Sequence, residues 1–126
     1  MEPNLWEIEF WENGNGNSPV EKVLAKLGRK DPGLHFIVMK RLAKMQKKSV
    51  DSLFKSGDVE SIKNGLWELR IPAGKNEFRM LGVLNQKIVI PLYASLHAFH
   101  KKTKKIDPKE MNTALARLKE YNKTKK

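Results

Sequence analysis

Two consecutive strand patterns, each containing one arginine, constrain the fold of this chain more than any other feature. The first, Leu66–Ile71, reads Leu-Trp-Glu-Leu-Arg-Ile, and the second, Glu77–Leu81, reads Glu-Phe-Arg-Met-Leu. A period of two places the alternating apolar side chains on buried faces of the two strands. The charged side chains then share the opposite face of a two-stranded ribbon: Glu68, Arg70, Glu77 and Arg79.

The connection between these strands leaves two registers open. With a four-residue turn at Pro72–Lys75, Arg70 faces Glu77 and Glu68 faces Arg79 as cross-strand ion pairs. A register shifted by two residues sets the two arginines opposite one another, and such a pair requires an anion. In that case the anion could be a phosphate, because guanidinium groups present a planar fork of donors to phosphate oxygens.

The segments around the ribbon predict one more strand at each side and three helices. Leu5–Trp11 alternates as a strand, with aromatic groups on both faces, and Lys87–His97 is a third strand pattern interrupted by Pro91. Each helix begins with an N-cap residue followed by proline: Ser18 and Pro19, Asp31 and Pro32, Asp107 and Pro108. We therefore predict an α+β fold, with a small antiparallel sheet (the N-terminal strand plus a three-strand meander) packed by two N-terminal helices and a C-terminal helix.

Length and composition bound the class of protein. A chain of 126 residues suits one domain, residues 1–126, with a short basic tail over about 119–126. Cysteine is absent, which excludes disulfides, thiolate metal sites and cysteine nucleophiles. No apolar run approaches the roughly 20 residues that span a bilayer, and no signal-peptide pattern opens the chain. We expect a cytoplasmic protein that does not bind a membrane.

The net charge of +11 is unevenly distributed. Residues 1–19 contain four glutamates and no basic residue, whereas residues 101–126 contain ten basic residues against three acidic ones. A basic end on a domain with a pI near 9.9 is typical of a protein that binds a polyanion. The alternative is a solvated lysine-rich tail that keeps the protein soluble. Composition alone does not separate RNA from DNA or from an acidic protein.

Four segments together resemble a known family. They are Gly65–Ile71 (Gly-Leu-Trp-Glu-Leu-Arg-Ile), Phe78–Met80 (Phe-Arg-Met), Leu96–Thr103 (Leu-His-Ala-Phe-His-Lys-Lys-Thr) and Asp107–Pro108. In this order they resemble the phage-derived HigB-like branch of the RelE/ParE toxin superfamily. The resemblance implies a RelE-like fold and the toxin of a type II toxin-antitoxin system. It also implies an endoribonuclease that enters the ribosome and cuts messenger RNA without a metal or other cofactor, through attack by the RNA's own 2′-hydroxyl. The implied partner is a helix-turn-helix antitoxin, HigA-like, that masks the active face.

The resemblance also assigns residues by motif position. The family's basic catalytic groups correspond to Arg70, Arg79, Lys101 and Lys102. His100 is a candidate for proton transfer, and Lys104 and Lys105 are candidates for RNA binding. Some relatives have lysine two positions before the strand arginine, whereas this chain has Glu68, so the general base stays open among His97, His100, Glu68 and a lysine with a depressed pKa.

A second class of function is compatible with the same fold but involves no RNA cleavage. A non-catalytic protein with this sequence would be a ParE-like inhibitor of DNA gyrase, a basic RNA-binding module or a purely structural partner. The arginine pair and the Phe-His-Lys-Lys-Thr segment favour the nuclease, because gyrase inhibition needs no phosphate-binding group on that face.

Overall fold

One five-stranded sheet with four helices forms the described part of the chain, residues 2–101 and 105–124 of a computed structural model. The elements in chain order are β1 (Glu7–Phe10), α1 (Pro19–Lys30), α2 (Pro32–Met45), α3 (Val50–Ser56), β2 (Val59–Ser61), β3 (Trp67–Ala73), β4 (Asn76–Asn85), β5 (Leu92–Lys101) and α4 (Pro108–Thr124). None of the helices within these ranges is both long and apolar enough to cross a bilayer. The α+β class predicted from the sequence is confirmed.

The sheet is mixed, so the prediction of a wholly antiparallel sheet is wrong. Its strand order is β1-β5-β4-β3-β2, in which β2 to β5 pair antiparallel and β1 pairs parallel with β5. The alternation of apolar residues along β1 carries no information about the direction of a partner near the other end of the chain. The structure also adds α3 and β2, which are too short, at seven and three residues, to show a period in the sequence.

The three predicted helix starts are confirmed. Ser18 Oγ accepts a hydrogen bond from the backbone N–H of Glu21 at 3.3 Å, and Asp31 Oδ1 accepts one from Leu34 at 3.0 Å. Asp107 caps α4 in the same way through the backbone N–H of Lys109 at 2.8 Å. Such caps satisfy N–H groups that have no partner inside the helix.

A bulge bends the long β4–β5 ladder. Leu81 pairs with His97 and Gly82 with Ser95, which leaves Leu96 as an extra residue on β5. A Cβ atom at position 82 would lie 2.1 Å from the carbonyl oxygen of Ala94, so only glycine fits there. Pro91 lies immediately before the first residue of β5, where it interrupts no ladder.

The sheet separates two apolar cores. On one face, helices α1, α2 and α3 cover the buried residues of the meander, including Leu69, Phe78 and Met80. On the other face, α4 packs on β4 and β5, and Leu81 and Phe99 join its core. Because Leu81 is paired with Glu68 and Phe99 with Arg79, the charged residues of the ribbon lie on the α4 face.

Candidate active site

Arg70 and Arg79 are direct cross-strand neighbours. The β3–β4 turn has two residues, Gly74 and Lys75, and Gly74 takes the left-handed conformation (φ 66°) that such a turn requires. The resulting register pairs Arg70 with Arg79 and Pro72 with Glu77. Of the two registers that the sequence leaves open, the structure has the one with opposed arginines.

The anion that this register requires is a side chain of the protein. Glu68 bridges both guanidiniums: its Oε1 accepts from Arg70 Nε at 2.8 Å and its Oε2 from Arg79 Nη1 at 3.1 Å. The Glu68 side chain is 1% exposed. A carboxylate so deeply buried is stable only with charged partners, and here it has two.

Two further carboxylates complete the arrangement at its outer ends. Glu60 of β2 accepts from Arg70 Nη2 at 2.6 Å, and Glu77 accepts from Arg79 Nη2 at 2.7 Å and from its Nε at 3.1 Å. Three carboxylates and two guanidiniums thus alternate across three strands, with a formal charge of −1. We call these five side chains the arginine cluster: Glu60, Arg70, Glu68, Arg79 and Glu77.

Exposure increases from the centre of the arginine cluster to its ends. The Arg79 side chain is 4% exposed and that of Arg70 is 28% exposed, whereas Glu77 and Glu60 are 39% and 50% exposed. Burial by itself would lower the pKa of Arg70, but Glu68, Glu60 and Glu77 outweigh burial and raise this pKa. Arg70 is therefore the charged and partly accessible cation of the cluster.

Glu60 and the backbone of Gly57 are the parts of this site that sequence reasoning missed. The carbonyl oxygen of Gly57 accepts from Arg70 Nη1 at 3.2 Å, just before the short β2 strand. A three-residue strand shows no period, so no signal in the sequence pointed to either group. In residues 2–101 and 105–124, no group of three or more His, Asp or Glu side chains is arranged to hold a metal ion.

His97 is engaged on both ring nitrogens beneath α4. Its Nδ1 lies 2.9 Å from Arg117 Nη1, which can only donate, so Nδ1 accepts and the ring proton is on Nε2. Nε2 then donates to Glu110 Oε1, also at 2.9 Å. Burial lowers the pKa of His97, Arg117 lowers it further, and Glu110 partly opposes both. His97, one of the candidates for the general base, is thus a buried histidine with both ring nitrogens hydrogen-bonded.

His100 lies apart from the arginine cluster. It is exposed and pairs across the ladder with Phe78, a residue of the core beneath α1 and α2. Arg79 is one residue further along β4, so its side chain lies on the other face of the sheet. The structure does not bring His100 together with the two arginines, and its role in proton transfer stays a prediction.

The predicted lysines follow the strand that borders the cluster. Lys101 is the last residue of β5, and its backbone pairs with Glu77. Lys102 and Lys104 lie outside the described residues, and Lys105 is exposed just beyond them. The last residue of the lysine segment before this gap, Lys101, therefore lies next to the Glu77 end of the arginine cluster.

Comparison with known protein families finds one whose model matches most of this chain. The family model described as phage derived protein Gp49-like (DUF891) matches residues 31–119, from the cap of α2 into α4, which includes the whole arginine cluster. No curated protein sequence matches the chain. The match covers well over half of the 126 residues. The chain therefore belongs to the phage-derived Gp49-like (DUF891) family, which is a RelE/toxin-like family.

Proposed function

We propose that this protein is the toxin of a type II toxin-antitoxin pair, of the HigB-like branch, and that it cleaves messenger RNA on the ribosome without a metal ion. Membership of a RelE/toxin-like family and the net charge of +11 support the proposal. The observation that carries it is the guanidinium of Arg70, which reaches the surface while two carboxylates and a backbone carbonyl fix its orientation.

Arg70 is the proposed phosphate ligand. Glu60, on a three-residue edge strand, is half exposed, so its ion pair with Arg70 is weak and exchangeable. A scissile phosphate replaces Glu60 at Nη2, while buried Glu68 keeps the guanidinium in place. A preorganised donor of this kind stabilises the negative charge that grows on the phosphoryl oxygens in the transition state. Arg79, at 4% exposure, is a positioning residue that holds Glu68 and Glu77.

Glu60 is the proposed general base. Its carboxylate accepts from Arg70 Nη2 in the free protein, and a phosphate that takes this donor leaves the carboxylate directly beside it. The Glu60 carboxylate takes the proton of the 2′-hydroxyl as O2′ attacks phosphorus. The bond from phosphorus to O5′ breaks, leaving a 2′,3′-cyclic phosphate and a 5′-hydroxyl. The leaving oxygen takes up a proton, for which Lys101 and Lys102 are the proposed donors.

The proposal includes a helix-turn-helix antitoxin as partner. The β4–β5 loop presents three consecutive aliphatic residues to solvent, and Val89 at its centre is fully exposed. An apolar element of the antitoxin is proposed to cover this loop, while its acidic side chains bind the basic terminal segment. The apolar contact would mostly set the lifetime of the complex. The complementary charge would mostly set its rate of formation.

A non-catalytic RNA-binding module is the second candidate. It is favoured by the complete pairing of both guanidiniums with carboxylates, since the arginine cluster has a formal charge of −1. Such a protein would bind the same RNA and leave it uncut.

The test is cleavage of messenger RNA by the purified protein on programmed ribosomes, in a buffer whose Mg²⁺ keeps the ribosomal subunits together. We expect cleavage with 2′,3′-cyclic phosphate and 5′-hydroxyl ends. Arg70→Gln removes the phosphate donor and should slow cleavage about 100-fold or more. Glu60→Gln removes the base and should slow cleavage about 100-fold. Lys55→Gln removes an exposed positive charge elsewhere and should cleave as the wild type does. Uncut message, or undiminished cleavage by Arg70→Gln, would contradict the proposal.

A further inference from the structure

The strongest concentration of positive charge among the described elements lies on the first two helices. Residues 19–48 contain nine basic residues and two acidic ones, which accounts for +7 of the net charge of +11. All nine side chains belong to exposed residues. We call them the α1–α2 basic surface: Lys22, Lys26, Arg29, Lys30, Lys40, Arg41, Lys44, Lys47 and Lys48.

Within the described residues, no ion pair neutralises the positive charges of this surface. None of the nine side chains forms a salt bridge with a residue in the described ranges 2–101 and 105–124. Arg41 Nη1 donates to the carbonyl oxygen of Pro72, and Lys47 Nζ to that of Glu2, but a neutral carbonyl does not cancel a positive charge. Of the two acidic residues, Asp31 is occupied as the cap of α2.

The outer side of α2 carries an ordered stripe. Phe36, Lys40 and Lys44 follow one another at four-residue spacing, about 6 Å apart along the axis, and Lys48 continues the series beyond the end of the helix. Like charges at this spacing weaken a helix, and alternation with glutamate would relieve the repulsion. The chain has no glutamate there, although a face that only needs water would tolerate one.

We propose that the α1–α2 basic surface binds the phosphate backbone of a large folded RNA. Lys44, Lys47 and Lys48 border one shallow depression together with Glu2, so three ammonium groups against one carboxylate are available to neighbouring phosphates. Phe36 is 64% exposed, with Lys40 Nζ 5.8 Å from its ring centroid, and offers a flat face to an unpaired base. Because exposed aromatic rings also pack at protein interfaces, the choice of RNA over an acidic protein rests on the proposed function and is tested below with polyglutamate.

The surface lies on the opposite side of the sheet from the arginine cluster. Helices α1 and α2 cover the core that contains Leu69 and Phe78, whereas Glu68 and Arg79 lie on the α4 face. RNA bound to α2 is therefore remote from the scissile phosphate and holds the protein on a larger body. The choice of RNA over DNA rests on the proposed function.

The experiment measures binding to a hairpin of 2′-O-methyl RNA, which lacks the attacking hydroxyl and so reports binding alone. The variant is the triple substitution Lys40→Gln, Lys44→Gln and Lys48→Gln. The control, Lys55→Gln, Lys63→Gln and Lys75→Gln, removes three exposed lysines elsewhere and gives the same net charge. We expect the first triple to lower the affinity at least about tenfold at low salt. We also expect it to reduce the slope of log K against log salt by about 2 to 3, with little change in the control.

Three results would overturn the proposal. Equal losses in the two triples would mean that net charge alone sets the affinity. An unchanged salt slope in the first triple would mean that phosphates do not contact α2. Equal affinity for duplex DNA of the same sequence, or for polyglutamate, would mean that the surface does not select RNA. Since the hairpin cannot be cleaved, a failed cleavage assay leaves this binding result standing, and failed binding leaves the cleavage result standing.

Discussion

Arg79 and Lys40 lie on opposite sides of the sheet and differ in what surrounds their positive charge. The Arg79 guanidinium is almost wholly buried and donates to Glu68 and Glu77. The Lys40 ammonium is exposed, and the contact found for it is the ring of Phe36. A buried cation has to be neutralised within the fold, whereas an exposed one is solvated until a partner arrives. The arginine cluster is therefore complete in the free protein, and the α1–α2 basic surface is not.

This difference changes how the net charge is interpreted. Arg70 and Arg79 count toward +11, but with their three carboxylates they contribute a formal charge of −1. The positive field that attracts a polyanion over long distance comes from residues 19–48 and from the basic terminal segment. A count of basic residues thus indicates the kind of partner without locating the surface that binds it.

Arg79→Met should produce the largest effect on stability. The substitution leaves Glu68 buried with one charged partner instead of two, and breaking a buried pair in this way costs about 3–5 kcal/mol. The measurement is the free energy of unfolding from urea denaturation. Lys40→Met, at an exposed position, serves as the control and should change stability by less than about 0.5 kcal/mol. A loss below about 1 kcal/mol for Arg79→Met would show that Glu68 does not depend on its second guanidinium.

A buried group that lacks sufficient neutralising partners is favoured in its uncharged form, and His97 is such a group. Its folded pKa is lowered below the ordinary value of about 6.5. The contribution of His97 to stability is therefore fully present above about pH 6.5 and is lost as pH falls through the folded pKa, because the unfolded chain binds the proton first.

The corresponding measurement is the free energy of unfolding between about pH 7 and pH 5. We expect the wild type to lose more stability over this interval than His97→Gln, which retains polar contact with Glu110 or Arg117 but cannot titrate. His100→Gln, at an exposed position, should follow the wild type. Parallel curves for the wild type and His97→Gln would contradict the assignment of His97 as a neutral group.

The sequence predicted those parts of the fold that depend on local chemistry. Caps such as Ser18 and Asp31 begin helices because their side chains bind N–H groups three residues away, and the period of two identified Leu69, Phe78 and Met80 as buried. The register of Arg70 on Arg79 was not determined, because turns of two and four residues both suit the hairpin sequence.

The parts of the fold and site that the sequence did not predict depend on contacts between distant segments. The parallel pairing of β1 with β5 and the approach of Glu60 to Arg70 join parts of the chain whose local patterns carry no mutual information. His100 was grouped with Lys101 because the two are adjacent in sequence, although alternate residues of a strand lie on opposite faces. The basic residues of α1 and α2 alternate with apolar ones in the sequence, and the packing of the two helices brings them together on one surface.

The arginine cluster is proposed to act on the scissile phosphate, while the α1–α2 basic surface holds RNA elsewhere. Steady-state cleavage of messenger RNA on programmed ribosomes tests this proposal directly, with wild type, Arg70→Gln and the triple variant at Lys40, Lys44 and Lys48. Loss of a transition-state contact lowers kcat, whereas loss of uniform binding raises KM. We predict a reduced kcat with nearly unchanged KM for Arg70→Gln, and a raised KM with nearly unchanged kcat for the triple variant. A change in the same constant for both variants would contradict the separation of the two regions.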